Sequence, residues 1–136
     1  MVGTKFETEM QVRPDDIDMN QHVHGSRYMD YVLAARYDQM ERCYKMSMEE
    51  FMQHGFGWYM RSACLDFKRP LGLGERFIVR TWVTEILKDG VKVQFEILKQ
   101  KTGKLACDGH FLYTMINIKT GRAQVIPDWI VAKYSV

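Results

Sequence analysis

The sequence predicts an α+β domain in which one long helix is wrapped by a five-stranded antiparallel sheet. Three observations predict it. One stretch, residues 25–45, has helical periodicity, while an early segment and four later ones alternate with period two. The later segments are joined largely by short turn-rich links, "LGLGE", "KDG", "KTGK", which imply antiparallel meander pairing. A sheet with one apolar face needs a cover, and the long helix is the element able to supply it. A chain of 136 residues, 46% hydrophobic and 26% charged, fits a single globular domain spanning 1–136.

The first strand is "KFETEMQV" (5–12), with Phe6, Thr8, Met10 and Val12 on one face. Arg13-Pro14-Asp15-Asp16 ends it, since proline cannot donate to a ladder and aspartate favours turns. Ser26 is placed to cap the helix. Met29, Leu33, Tyr37, Met40 and Tyr44 form its apolar stripe, widened by Tyr28, Val32 and Ala35. Arg36, Asp38, Glu41 and Arg42 gather in its second half, with Asp38 and Arg42 in the favourable i,i+4 order. A short second helix over 47–55 carries Ser47 and Glu50 as a capping box and Gly55 as its stop.

Strands follow over 57–70, 76–87, 91–100 and 105–118. In 57–70, Trp58, Met60, Ser62, Cys64 and Asp66 alternate with Tyr59, Arg61, Ala63, Leu65 and Phe67. In 91–100, Val91, Val93, Phe95 and Ile97 share a face. The end of the chain, 126–136, reads as a short helix with Pro127 near its start and Asp128 in its first turn.

Composition removes several function classes. A net charge of +2, without a basic run, argues against a nucleic-acid partner. No segment approaches the roughly 18 apolar residues of a membrane span. Cys43, Cys64 and Cys107 are odd in number and far apart, which suits neither a disulfide framework nor a metal site. His22 and His24 are two apart with no third ligand in sight, so no metal is expected. The N-terminus lacks the apolar stretch of a signal peptide, and a cytoplasmic protein is the expectation.

Chemistry concentrates in "DMNQHV" (18–23), just ahead of the long helix. Asp18, Asn20 and His22 occupy alternate positions, which places them on one face if the chain is extended. Asp18 can also be read as the cap of a turn, and Asn20 as a maker of backbone turns. His22 can be a structural histidine, while His54 and His110 read as structural or surface residues. The 10 methionines read as adaptable core.

The order of one helix among antiparallel strands, with Asp16-Ile17-Asp18, His22-Val23, Tyr28 and "DFKRPLGLGE" (66–75), resembles the hotdog fold. In particular it resembles the 4-hydroxybenzoyl-CoA thioesterase family. The segment "DIDMNQHVHGSRY" is also similar to the Asp-x-Asn-x-His segment of plant-type acyl-ACP thioesterases. The resemblance implies hydrolysis of acyl-CoA, with acyl-ACP as the alternative substrate, and no cofactor. It implies Asp18 as general base or nucleophile, with Asn20 and His22 completing the catalytic set. It also implies backbone oxyanion donors near His24 or Gly25, and a homodimer or homotetramer with sites at the interface. Many short-chain acyl-CoA relatives carry a histidine one position after His24; this chain has Gly25 there, so no role of that histidine carries over.

The residues suit this chemistry. A thiolate leaves without a strong general acid, since a thiol pKa is about 8.5. A carboxylate beside a helix N-terminus stays ionised, as a base or nucleophile must. Free helix N–H groups can hold the oxyanion. Tyr28, Trp58 and Tyr59 are candidates to contact the acyl group. Two other classes compete: a hotdog hydratase and a non-catalytic acyl-thioester binding module. The hydratase pattern has its histidine five positions after the aspartate with a proline between, whereas here His22 follows Asp18 by four with no proline.

Overall fold

The computed structural model describes residues 3–136. The chain forms β1 (Phe6–Gln11), a 3-10 turn (Pro14–Asp16), α1 (Gly25–Arg42), α2 (Met48–Gln53), β2 (Phe56–Phe67), β3 (Arg76–Ile86), β4 (Gly90–Lys99), β5 (Leu105–Asn117) and α3 (Asp128–Tyr134). The five strands make one antiparallel sheet in the order β1-β3-β4-β5-β2. This is the hotdog fold that the sequence predicts: α1 lies along the curved sheet.

The expected meander holds for β3, β4 and β5 and fails for β2. β2 pairs with β5 at the far edge of the sheet and not with β3. The segment after β2 is therefore a crossing that carries the chain to the other side of the sheet. It contains a turn, closed by Glu75 N–H donating to the Gly72 carbonyl at 3.1 Å, but no hairpin. On its way it pairs with the segment before α1: Val23 N–H donates to the Leu71 carbonyl at 2.9 Å, and His22 bridges Gly72.

β1, β3 and β4 show the expected alternation. Phe77, Val79, Thr81 and Val83 point inward from β3, and Val91, Val93, Phe95 and Ile97 from β4. In β2 the alternation breaks. A bulge between Met60 and Ser62 shifts the register, so Trp58 and Met60 lie opposite Met115 and Tyr113, while Ala63 and Phe67 lie opposite Phe111 and Cys107. The extra residue moves Ala63, Leu65 and Phe67 to the helix side, the reverse of strict alternation.

α1 begins two residues earlier than a Ser26 cap would allow. His24 is its N-cap, without a side-chain cap bond. Its stripe is also rotated. Tyr28, Tyr31, Val32, Ala35 and Gln39 are buried, whereas Leu33 and Tyr37 are 38% and 43% exposed. The rotation has a polar cause as well as an apolar one. Buried Gln39 donates to Thr8 Oγ1 at 3.1 Å and accepts from the Thr81 hydroxyl, tying α1 to β1 and β3. Ser47 caps α2 as expected, accepting from Glu50 N–H at 3.1 Å, and Gly55 follows at φ +84°. α3 starts at Asp128 with Pro127 as its N-cap. Among the described residues no helix is long and apolar enough to cross a membrane.

Candidate active site

The segment before α1 is a knot of backbone bonds and not an extended rim. Asp18 N–H donates to the His22 carbonyl at 2.8 Å, and Gln21 N–H to the Asp18 carbonyl at 3.1 Å. Gln21 sits at φ +64° to close this turn. The Asp18 carboxylate stabilises it by accepting from Asn20 N–H at 2.8 Å and His22 N–H at 3.1 Å through Oδ1. Asp18, Asn20 and His22 therefore do not share one face. Asp18 and His22 border a cleft of about 310 Å³ with Gly25, Tyr28 and Phe67. Asn20 and His24 lie on the other side of the loop, in a shallow depression that Asp18 also reaches. Asn20 shapes the site through its backbone.

The bonded N–H groups have an electrostatic consequence. Donation from His22 N–H, seconded by Asn20 N–H and by the charges of His24 and His22, holds the Asp18 carboxyl below the ordinary carboxylate value. Asp18 is thus ionised wherever it could serve as a base. Oδ1 is occupied by the loop, which leaves Oδ2 as the working oxygen.

The two expected oxyanion donors separate. His24 N–H is spent on the Asp16 carbonyl at 3.0 Å. Gly25 stands at the first position of α1, where the N–H has no intrahelical acceptor. Gly25 faces the cleft, and a Cβ there would lie 3.8 Å from the Phe67 ring. Of the two N–H groups, that of His24 is already bonded, and that of Gly25 is not committed within the helix.

Tyr28 forms the cleft's inner wall. It is 4% exposed, packs edge-on against Phe67 at 5.2 Å, and its hydroxyl accepts from Leu71 N–H at 3.1 Å. Burial raises its pKa, so it stays a neutral phenol. Trp58 and Tyr59 are not part of this cleft. They lie toward the opposite end of β2 from Phe67, beyond the bulge between Met60 and Ser62. Tyr59 faces outward and is 61% exposed. Trp58 stacks on Phe51 at 5.2 Å and lines a different cavity.

Two features escape pattern reading. Asp16 is 2% exposed and anchors the start of α1. It accepts from the Tyr31 hydroxyl at 2.6 Å and pairs with Arg27 and Arg13, each at 3.4 Å. The Asp-x-Asp pair is thus divided into an anchoring acid and an exposed one. The other feature is the cationic lip Lys68-Arg69, which borders the Asp18 cleft. Both backbone N–H groups bond the Ala106 carbonyl, at 2.8 and 3.0 Å, fixing the lip to β5. The signal for it was the segment "DFKRP", whose crossing path only the topology reveals. The buried Cys107 thiol is pushed up to about 12 by burial first, which removes it as a nucleophile. Among the described residues no cluster of three or more His, Cys, Asp or Glu could hold a metal.

A carboxylate set beside the first turn of the one helix of a hotdog sheet defines a thioesterase-type domain. The comparisons agree. The model of the thioesterase-like superfamily matches residues 12–134, and the chain belongs to that family. It is 24% identical over 119 residues to the long-chain acyl-CoA thioesterase FadM of Escherichia coli (strain K12), covering 87% of this chain and 88% of that protein. The structure matches a DHNA-CoA thioesterase from Staphylococcus aureus with TM-score 0.88 at 22% identity, over 96% of this chain and 89% of the other. A hypothetical protein from Thermus thermophilus matches with TM-score 0.88 at 26% identity, over 97% and 96%.

Proposed function

We propose that this thioesterase-family chain hydrolyses acyl-CoA thioesters with Asp18 as its base or nucleophile and Gly25 N–H as its oxyanion donor. The observation that carries the reading is the shared cleft. An acid kept ionised by two backbone N–H groups faces the open first position of α1 across a space large enough for a thioester. The thioester carbonyl enters with its oxygen toward Gly25 N–H, and Asp18 Oδ2 either attacks the carbonyl carbon or takes a proton from the attacking water. The tetrahedral intermediate then expels the thiolate, which needs no dedicated acid. Lys68 and Arg69 at the lip supply positive charge for the phosphates of a CoA tail. An acyl-ACP would present the same phosphopantetheine arm, so it is the alternative substrate.

The site is completed by a second copy. β2 is an edge strand of 12 residues, and Arg61, Ser62, Ala63, Cys64, Asp66 and Phe67 on it are exposed. A long bare edge invites strand pairing, and pairing of β2 with its copy would close the open side of the cleft at Phe67. A homodimer through β2, or a tetramer of two such dimers, follows, in the cytoplasm.

The test is a panel of acyl-CoA and aryl-CoA thioesters assayed with wild type and Asp18→Asn. Asparagine keeps Oδ1 as acceptor for both N–H groups, so the loop survives while the base is removed. The expected result is a loss of about 10³-fold in kcat with an unchanged melting temperature. Equal activity in Asp18→Asn, or no hydrolysis of any thioester by wild type, would overturn the reading. Tight binding without turnover would identify a binding module.

A further inference from the structure

A second cavity, of about 350 Å³, lies between α1 and the first half of β2, away from Asp18. Its walls are apolar: Leu33, Tyr37 and Met40 from α1, Met48 from the start of α2, and Trp58 and Met60 from β2. In their midst stands Arg36, a guanidinium only 5% exposed. Among the described residues no carboxylate comes within ion-pair distance of it. Its neighbours are the rings of Tyr44 and Tyr113, at 5.8 and 6.0 Å. Cation–π contact offsets only part of the desolvation of a buried charge.

Arg36 faces the hydroxyls of Tyr44 and Tyr113, and the Trp58 indole faces the Tyr134 hydroxyl. None of these approaches gives Arg36 Nη1, Trp58 Nε1 or the Tyr134 hydroxyl a hydrogen bond of good geometry, although all three atoms are buried. They belong to one cluster: Trp58 meets Tyr134 edge-on at 5.9 Å, and Tyr134 packs on Tyr44 at 4.8 Å. Buried polar groups in folded proteins are nearly always paired. A buried cation without a carboxylate partner, set in the wall of an apolar cavity beside the Trp58 indole, describes a receptor for an oxyanion.

The cluster and the Asp18 cleft lie against the same two elements, α1 and β2. β2 runs antiparallel to α1, with Phe67 beside Gly25 and Trp58 beside Arg36. Half-buried Met29 and exposed Leu33 and Tyr37 form an apolar seam along α1 that ends at buried Met40 in the cavity wall. From Gly25 to Arg36 the helix rises about 17 Å, the span of an extended chain of roughly a dozen carbons.

We propose that this cavity is the far end of the acyl site and that Arg36, seconded by Trp58, selects acyl chains ending in a carboxylate. The inference rests on the acyl-CoA thioesterase reading, and it names the substrate class as ω-carboxyacyl thioesters. Arg36 is a specificity determinant and takes no part in the cleavage. A methyl-ended chain of the same length leaves the guanidinium unpaired, so the discrimination comes from the buried charge as much as from the new contact.

Two measurements test it. Binding of dodecanedioyl-CoA and dodecanoyl-CoA is titrated calorimetrically on Asp18→Asn protein, and kcat/KM for both is measured on wild type. The ω-carboxyacyl thioester is expected to be preferred about tenfold or more in both. Arg36→Met is expected to abolish or invert the ratio, Arg36→Lys to keep part of it, and Trp58→Phe, which removes only the indole N–H, to reduce it by a few-fold. A wild-type preference for the methyl-ended chain overturns the proposal, and so does a ratio that Arg36→Met leaves unchanged. Inhibition by free dodecanoate that Arg36→Met relieves, with no preference between tails, overturns it in favour of a fatty-acid site. If wild type hydrolyses neither thioester while the binding preference holds, the tail assignment stands and the hydrolase reading falls.

Discussion

The two cavities along α1 treat polar groups in opposite ways. At the helix start, Asp18 Oδ1 is bonded by Asn20 and His22, Asp16 by Tyr31 and two arginines, and His24 N–H by the Asp16 carbonyl. Three turns later, Arg36 Nη1, Trp58 Nε1 and Tyr134 Oη are buried without a hydrogen bond of good geometry, and Arg36 has only tyrosines for neighbours in place of a carboxylate. The first arrangement is internally saturated, which holds a reacting group in place before substrate arrives. The second is internally unsatisfied, which makes binding depend on what the ligand brings. Under the two proposals, one end of the helix is organised for a reaction and the other for selection.

The contrast breaks most sharply at Gly25. If its N–H holds the oxyanion, removing that one hydrogen should slow turnover without harming the fold. Gly25→Pro does this, because proline is favoured at the first helical position. The preceding His24, at φ −54° and ψ 138°, already has the conformation that proline requires of its neighbour. The expected loss is 10²- to 10³-fold in kcat, about 3 kcal/mol. Circular dichroism and the melting curve should match wild type. An active Gly25→Pro enzyme would place the oxyanion elsewhere.

Asp16 sharpens the comparison from the side of stability. Asp16→Ala removes the acceptor of the Tyr31 hydroxyl and the partner of Arg27 and Arg13. It should cost about 3 kcal/mol in urea unfolding, and Asp16→Asn, which keeps an acceptor oxygen, less. Asp18→Asn should leave the urea midpoint in place. Equal destabilisation by the two asparagine variants would show that the pair is not divided into anchor and reagent.

The residues that the sequence makes legible are those whose behaviour is local. β4 alternates as written, Ser47 caps α2, and Asp18 can be picked out by its position before a helix. Non-local facts were hidden. The β2 bulge reverses its faces because one extra residue shifts every later side chain. The crossing to β3 hid both the edge position of β2 and the place of Lys68-Arg69. The seam of Met29, Leu33 and Tyr37 is a real apolar stripe, but a sequence cannot say which of two apolar faces the sheet takes. The Gln39–Thr81 bond and the smaller Ala35 decide for the other. Trp58 and Tyr59 looked close to the site because they are aromatic, and the length of β2 carries them away from it.

His22 provides the finest test, because it borders the cleft but offers only its backbone to Asp18. If Asp18 is the base, kcat/KM requires its ionised form. The acidic limb of the pH profile then falls at the Asp18 pKa, which the His22 and Asn20 N–H groups hold below 3.8. Activity should therefore be level from neutrality down to the carboxylate range. His22→Ala should change kcat by only a few-fold and leave the profile's shape intact, because its backbone N–H still donates to Asp18. A loss in His22→Ala as large as that in Asp18→Asn would transfer the proton-accepting role from the carboxylate to the imidazole.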